Sequence, residues 1–221
     1  MAIYYVGGIS YAHAEVTING NTEVIAGRMV NDRMVFNKNE LDRMFSRHLL
    51  SSYDRKAGIT LHRDSNTGRF YKDVSVPLSN ALEQTAQQAN IMRQMAEFPR
   101  TGLGAAVMRG AKYSWFEGQV NRGRYWDIKL PDSWNRTIGR NTFPGDGTRV
   151  SFLGALMTPE QLGNFNYGFI GAALGLTWAE LIAGSWSDDG FTPPGNTPEF
   201  MNEFSDWAHI LRGYFAFNSQ R

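Results

Sequence analysis

The sequence predicts an α+β fold: a small β-rich N-terminal part, residues 1–80, packed on a mainly α-helical C-terminal domain, residues 81–221. Three observations carry this. Alternating apolar residues and tight-turn dipeptides crowd the first 36 residues. Beyond Pro77 the apolar residues recur at helical spacing instead. The stretch Gly163–Gly184, GNFNYGFIGAALGLTWAELIAG, is weakly charged and reads as a glycine-rich helical hairpin.

Each element has its own signal. Ile3 and Tyr5, then Val16 and Ile18, alternate as strand residues do, and Asn19-Gly20-Asn21 is a hairpin turn before Thr22–Ile25. Val30–Phe36 is a third strand entered through Asn31-Asp32. Leu41, Met44, Phe45 and Leu49 mark a helix over Asn39–Leu50 that Asn37 or Asn39 caps. Asp64-Ser65-Asn66-Thr67-Gly68 turns a second hairpin between Ile59–His62 and Arg69–Val76. Arg47, His48, Arg55, Lys56, His62 and Arg63 give this part local positive charge, read as a solvated face.

After Pro77, Asn80-x-x-Glu83 resembles a capping box, and Ala81, Leu82, Thr85, Ala89 and Met92 line a helix that ends before Pro99. Thr101–Gly110 is a loop or short packed helix, and Trp115, Phe116 and Val120 mark a further helix up to Gly123. Pro131–Arg149, with Trp134, Gly139, Pro144 and Gly145, has no periodicity and is expected to be a functional loop. Thr158-Pro159-Glu160-Gln161 starts the hairpin's first helix, and Thr177-x-x-Glu180 caps its second. Gly168, Gly171 and Gly175 fall three or four residues apart. Each costs the helix roughly 1 kcal/mol relative to Ala, so close packing or a ligand near the backbone must require them. After a loop over Ser185–Pro198, Phe200, Phe204, Trp207 and Leu211 face inward from a last helix that Gly213 closes.

The totals narrow the function. A net charge of +1 and a pI near 8.0 predict no broad nucleic-acid footprint and no DNA sequence recognition. The absence of cysteine removes disulfides, thiolate nucleophiles and cysteine-based zinc sites. The start, MAIYYVGGIS, lacks the basic and apolar regions of a signal peptide, so export needs a secretion machine or a phage-like particle. A membrane span takes about 20 apolar residues. The internal cap and Asn164, Asn166 and Glu180 speak against one in the glycine-rich stretch.

No P-loop, G-x-S-x-G or H-E-x-x-H motif is present, and no metal or cofactor is expected. His13, His48, His62 and His209 are scattered. Acids carry the chemistry that remains. Asp127 stands between Trp126 and Ile128, with Lys129 two residues on. Desolvation among aromatics suits a general acid, and a surface Asp127–Lys129 pair is the plainer reading. Asp188 and Asp189 sit in a Gly/Pro loop, as a shared-proton pair or as a turn cap. Asp206 and His209 share a helix face. All six tryptophans follow residue 110; most serve the core, while Trp and Tyr beside acids also suit a carbohydrate groove.

The order WFEGQV (115–120), YWDIK (125–129), GNFNYGFIGAALG (163–175), AG (183–184), DD (188–189) and DWAHILRGY (206–214) resembles the bacterial polymorphic toxin type 44 domain over about residues 88–215. That family shows W-F-x-x-x-V, a G-P-W-D-Y-K-like element, G-N-F-H-Y-G-x-x-G-x-A-x-G, an acidic loop and a terminal D-x-x-x-I-x-x-G helix. Asn166 stands where the family has His, and Arg124-Tyr125 where it has Gly-Pro. The resemblance implies a toxin of interbacterial competition, with a cognate immunity protein and a secretion or delivery apparatus as partners.

The leading expectation is a hydrolase of bacterial cell-wall peptidoglycan glycan, acting in the periplasm. Asp127 is its acid and Asp189 its base or nucleophile, with Asp188 and Lys129 beside them. Trp126, Asn164, Asn166, Tyr167, Gly168, Trp186 and Asp206 are the candidates for holding substrate. The alternatives are a metal-independent ribonuclease using Lys129, His209 and Arg212, a pore-forming protein, and a structural part of a phage-like particle. The cleft is expected where the 125–149 and 185–197 loops meet the N-terminal end of the glycine-rich helix.

Overall fold

The computed structural model describes residues 3–6, 9–18, 21–31, 33–97, 102–121, 123–187 and 198–220, with side chains for all of these except 3–6, 9–11, 102, 105, 186, 187 and 198–204. The chain is α+β, with an N-terminal antiparallel sheet and a mainly helical C-terminal region.

The first sheet holds β1 (Ile3–Val6), β2 (Ile9–Ile18), β3 (Asn21–Val30) and β4 (Arg33–Val35) in that order, all antiparallel. Pairing of β2 with β3 runs from Ile18↔Asn21 to Tyr11↔Arg28. This register turns Ala14, Val16, Ile18 and Ile25 to one face, where α1 (Lys38–Leu49) covers them with Met44. Asn37 caps α1, its Oδ1 accepting from Asn39 N at 2.9 Å. Part of the basic cluster is used internally: Arg47 and His48 both reach Glu23 on β3, at 3.0 and 2.6 Å, and tie α1 to the sheet. Phe45 stacks on Phe70, centroids 4.3 Å apart, and joins this layer to the next.

The capping box of α2 (Ser52–Lys56) buries Asp54, which also pairs with Lys72 at 2.9 Å. A second sheet follows, ordered β5 (Thr60–Arg63), β6 (Phe70–Asp73), β7 (Val150–Phe152) and β8 (Ala155–Met157). The β5–β6 and β7–β8 pairs are antiparallel, and Asp73↔Ser151 joins β6 to β7 in parallel. The sequence pattern assigns no element to β7 and β8, since three residues are too few to show a period. Leu153 and Gly154, with φ of 49° and 78°, make their turn. The sheet thus combines strands from both sides of the expected division at residues 80 and 81, and that point falls inside α3 (Ser75–Glu97).

Several helix boundaries differ from expectation. α3 begins at Ser75, not Asn80, because Asp73 Oδ1 accepts from the Ser75 N–H at 2.9 Å, and Pro77 fits a first turn that needs no donor. Of the two readings of Thr101–Gly110, the helical one holds, but it is continuous with the next helix as α4 (Gly102–Val120). Pro131–Arg149 is not a loop throughout. Pro131 opens α5 (Pro131–Thr137), whose Trp134 is fully buried and donates to Thr142 Oγ1 at 3.0 Å.

α6 (Pro159–Ala173) is the central helix of the core, with Leu162, Phe165, Ile170 and Ala173 buried. Thr158 and Gln161 form its capping box. Gly175, φ 78°, ends the segment, and Thr177 with Glu180 forms a second box at the head of α7 (Trp178–Ser187). α8 (Pro198–Asn218) passes through Gly213 without stopping. The reason is packing: a Cβ on Gly213 would lie 1.9 Å from Phe165 O, and one on Gly168 1.9 Å from Ile210 O. The glycines let α6 and α8 touch backbone to backbone. Among the described residues no helix is long and apolar enough to cross a membrane.

Candidate functional site

Two helices and one turn bring polar groups together where α6 packs on α8. The contacts Asn164–Asp206 and Gly168–Ile210 advance together along both chains, so the helices run in the same direction. That register sets the first half of α6 beside the middle of α8. Glu160 and Asn164 lie one turn apart on α6, and Asp206 and His209 one turn apart on α8. Asn164 Nδ2 donates to Asp206 Oδ1 at 2.7 Å.

Burial pushes the Asp206 carboxyl above the ordinary aspartate range, and the negative charge of Glu160 pushes it the same way. The nearby positive charges of His209 and Lys129, and the bond from Asn164, oppose the shift without cancelling it. His209 donates from Nδ1 to the Ser205 carbonyl at 2.8 Å rather than bonding Asp206. In the neutral ring this leaves Nε2 as the proton acceptor.

Lys129 comes from the 123–130 turn, which α5 clamps. Ser133 Oγ donates to Arg124 O at 2.7 Å and Thr137 Oγ1 to Tyr125 O at 2.9 Å. Asp127 belongs to this scaffold: only 5% exposed, it accepts the Gly123 N–H on Oδ2 at 2.8 Å, while its carbonyl accepts from Leu130 N. The carboxyl expected to act as a free acid is committed to holding the turn.

The remaining candidates separate. Trp126 is 2% exposed, so both ring faces are covered and neither is open to a sugar; Tyr125, edge-on to it, is the exposed aromatic of the pair. Gly168 is covered by the Ile210 backbone, which takes the place a ligand would need. Tyr167 packs on Phe116, with ring centroids 5.0 Å apart, and donates to Leu181 O at 3.2 Å. Asp188, Asp189 and the Trp186 side chain lie outside the described residues. Among the described residues, Lys129, Asn164 and Asp206 are the sequence candidates that come together. Glu160 joins them, although its i, i+4 spacing to Asn164 was readable.

Asn166 is fully buried, and neither its Nδ2 nor its Oδ1 has a partner among the described residues. It lies away from the Asn164 face, among the apolar side chains of the core. An unpaired buried amide costs about 1–3 kcal/mol. Asn166→Leu, with the same number and branching of side-chain heavy atoms, is therefore expected to stabilise the protein by roughly that amount in urea denaturation. An unchanged or lower midpoint would mean that the amide is satisfied in solution.

Comparison of the chain with protein-family models, curated proteins and solved structures found no match.

Proposed function

We propose that this chain is an antibacterial effector that hydrolyses bacterial cell-wall glycan, with Asp206 as proton donor. The observation that carries the reading is the half-buried Asp206 carboxyl, held protonated to higher pH than an ordinary aspartate beside Glu160. Glycoside hydrolysis needs two carboxyl groups in different protonation states, and environments that push their affinities apart assign the roles. Asp206 gives its proton to the leaving glycosidic oxygen. Glu160, exposed at the rim, activates water. Asn164 orients Asp206, and Lys129 holds an anionic or hydroxyl group of the substrate. The collinear motifs from Trp115 to Tyr214 support the effector assignment. It carries with it a cognate immunity protein, a delivery apparatus and the periplasm as target compartment.

A second reading, a metal-independent ribonuclease, is favoured by one arrangement. His209 keeps Nε2 free of its bond to Ser205 O, and His209 and Lys129 each act electrostatically on Asp206, which supplies a base and a cation able to hold a phosphate around one carboxyl. Incubation with purified peptidoglycan and with total RNA separates the two. Muropeptide release with intact RNA is expected; degraded RNA with intact peptidoglycan would transfer the site to the second chemistry.

A further inference from the structure

We infer that the glycan this site acts on carries free carboxylates on its sugars, and that the strand lies across α6 at Gly163 with one carboxylate on Lys129. This rests on the glycan reading above and names its substrate class.

Gly163 is the glycine of α6 that packing does not explain. A Cβ on Gly168 or Gly171 would collide with Ile210 or Leu181, whereas one on Gly163 would meet nothing within 4 Å. Glycine costs a helix stability against alanine or leucine. Among the described residues no contact at Gly163 offsets that cost. The position belongs to the site. Glu160, Gly163 and Asn164 stand at i, i+3 and i+4 and share one side of α6, while Leu162 and Phe165 turn into the core. Tyr167, at i+7, continues that side and is covered by Phe116, with ring centroids 5.0 Å apart. The side is thus closed at Tyr167 and open at Gly163 and Glu160. A sugar ring resting there meets helix backbone instead of a side chain. It lies beside Glu160 and beside Asn164, which holds Asp206.

The charge of the neighbouring wall selects the sugar. Trp126 N donates to Gln119 O at 3.0 Å, three residues along α4 from the Phe116 that covers Tyr167, so the 123–130 turn stands next to the open side of α6. The turn and α5 expose Arg124, Lys129 and Arg136, and none of the three forms an ion pair among the described residues. The acids of this segment are Asp132, exposed, and Asp127, buried and committed to the Gly123 N–H. Lys129 is the cation of the three whose charge reaches Asp206. When Asp206 carries the proton it donates, Lys129 loses that counter-charge. A neutral sugar offers the ammonium hydroxyl oxygens, whereas a carboxylate offers a charge-assisted bond, roughly twice as strong. In cell-wall glycan every second sugar bears a lactyl ether. Its carboxyl is an amide where a peptide is attached and a free carboxylate where the peptide has been removed. Hydrolysis of that amide is the class of reaction that supplies this substrate.

Peptide-free cell-wall glycan strands, and the same strands with their carboxylates blocked as methylamides, test this with the full chain. Blocking is expected to raise KM about tenfold or more, with kcat less changed. Lys129→Gln is expected to erase the difference between the two strands. Gly163→Leu is expected to lower kcat/KM on the free strands by about tenfold or more while the thermal midpoint stays or rises, because leucine favours the helix and its Cβ has room. A folding defect would lower both. Free and blocked strands hydrolysed alike, a preference that Lys129→Gln keeps, or a fully active Gly163→Leu would overturn the inference and leave the glycan reading standing. If neither strand is hydrolysed, both go.

Discussion

Replacing Gly168 with alanine is expected to destabilise the protein by about 3 kcal/mol, toward the upper end of what overpacking a core costs. The new Cβ would fall 1.9 Å from Ile210 O, and backbone cannot swing aside as a side-chain tip can. Helix propensity alone predicts the opposite sign, a gain of up to about 1 kcal/mol. The experiment therefore decides between local preference and tertiary contact. Gly110→Ala is the control: its Cβ meets nothing within 4 Å, so propensity acts alone and the expected change is stabilising by about 1 kcal/mol. Urea denaturation measures both. A Gly168→Ala variant as stable as wild type would mean that α6 and α8 do not pack at the described distance. Gly213→Ala, facing Phe165 O at 1.9 Å, is expected to repeat the loss.

Asp206→Asn is expected to lower hydrolysis of the glycan by roughly 10²–10⁴-fold, the usual worth of a positioned proton donor. It is expected to stabilise the fold at the same time. The folded carboxyl holds its proton to higher pH than the unfolded one, because burial and Glu160 disfavour its charge. Its contribution to stability is thus fully present below the ordinary carboxylate range and is lost as pH rises through the raised folded value. Asparagine keeps the oxygen that accepts from Asn164 and never ionises. The variant should exceed wild type in stability at neutral pH and match it in strong acid. Wild-type activity should likewise fall as pH rises through the same titration, when the donor loses its proton. Thermal melts at both pH values, beside muropeptide release, check the pair. A variant that keeps full activity would remove Asp206 from the chemistry, whatever its stability.

Much of the local structure was readable because local rules produce it. Thr158 with Gln161 and Thr177 with Glu180 form the two capping boxes that their spacing announces. The alternation around Val16, Ile18 and Ile25 yields the buried face of the first sheet. Short elements escaped. α5 spans seven residues and β7 and β8 three each, below the length at which a period can be seen. The site was legible in pieces only. Asp206 and His209 share a face by spacing, as do Glu160 and Asn164, yet 42 residues separate Asn164 from Asp206. Asp127 illustrates the converse. Its neighbours suggested a desolvated acid, but a desolvated carboxylate beside a backbone N–H is also a turn clamp, and sequence does not distinguish them.

What the sequence by itself determined is therefore the class of the fold, its caps, its turns and the need for close contact at the glycines of α6. All of these follow from interactions a few residues apart. Which partner fills each close contact, which acid is free and which is tied, and which strands share a sheet were decided only by the tertiary structure. Gly168 met Ile210, Asp206 met Asn164 and Asp73 met Ser151 across long stretches of chain. Such pairings depend on how whole elements pack, and packing is a property of the folded core that no short window of residues contains.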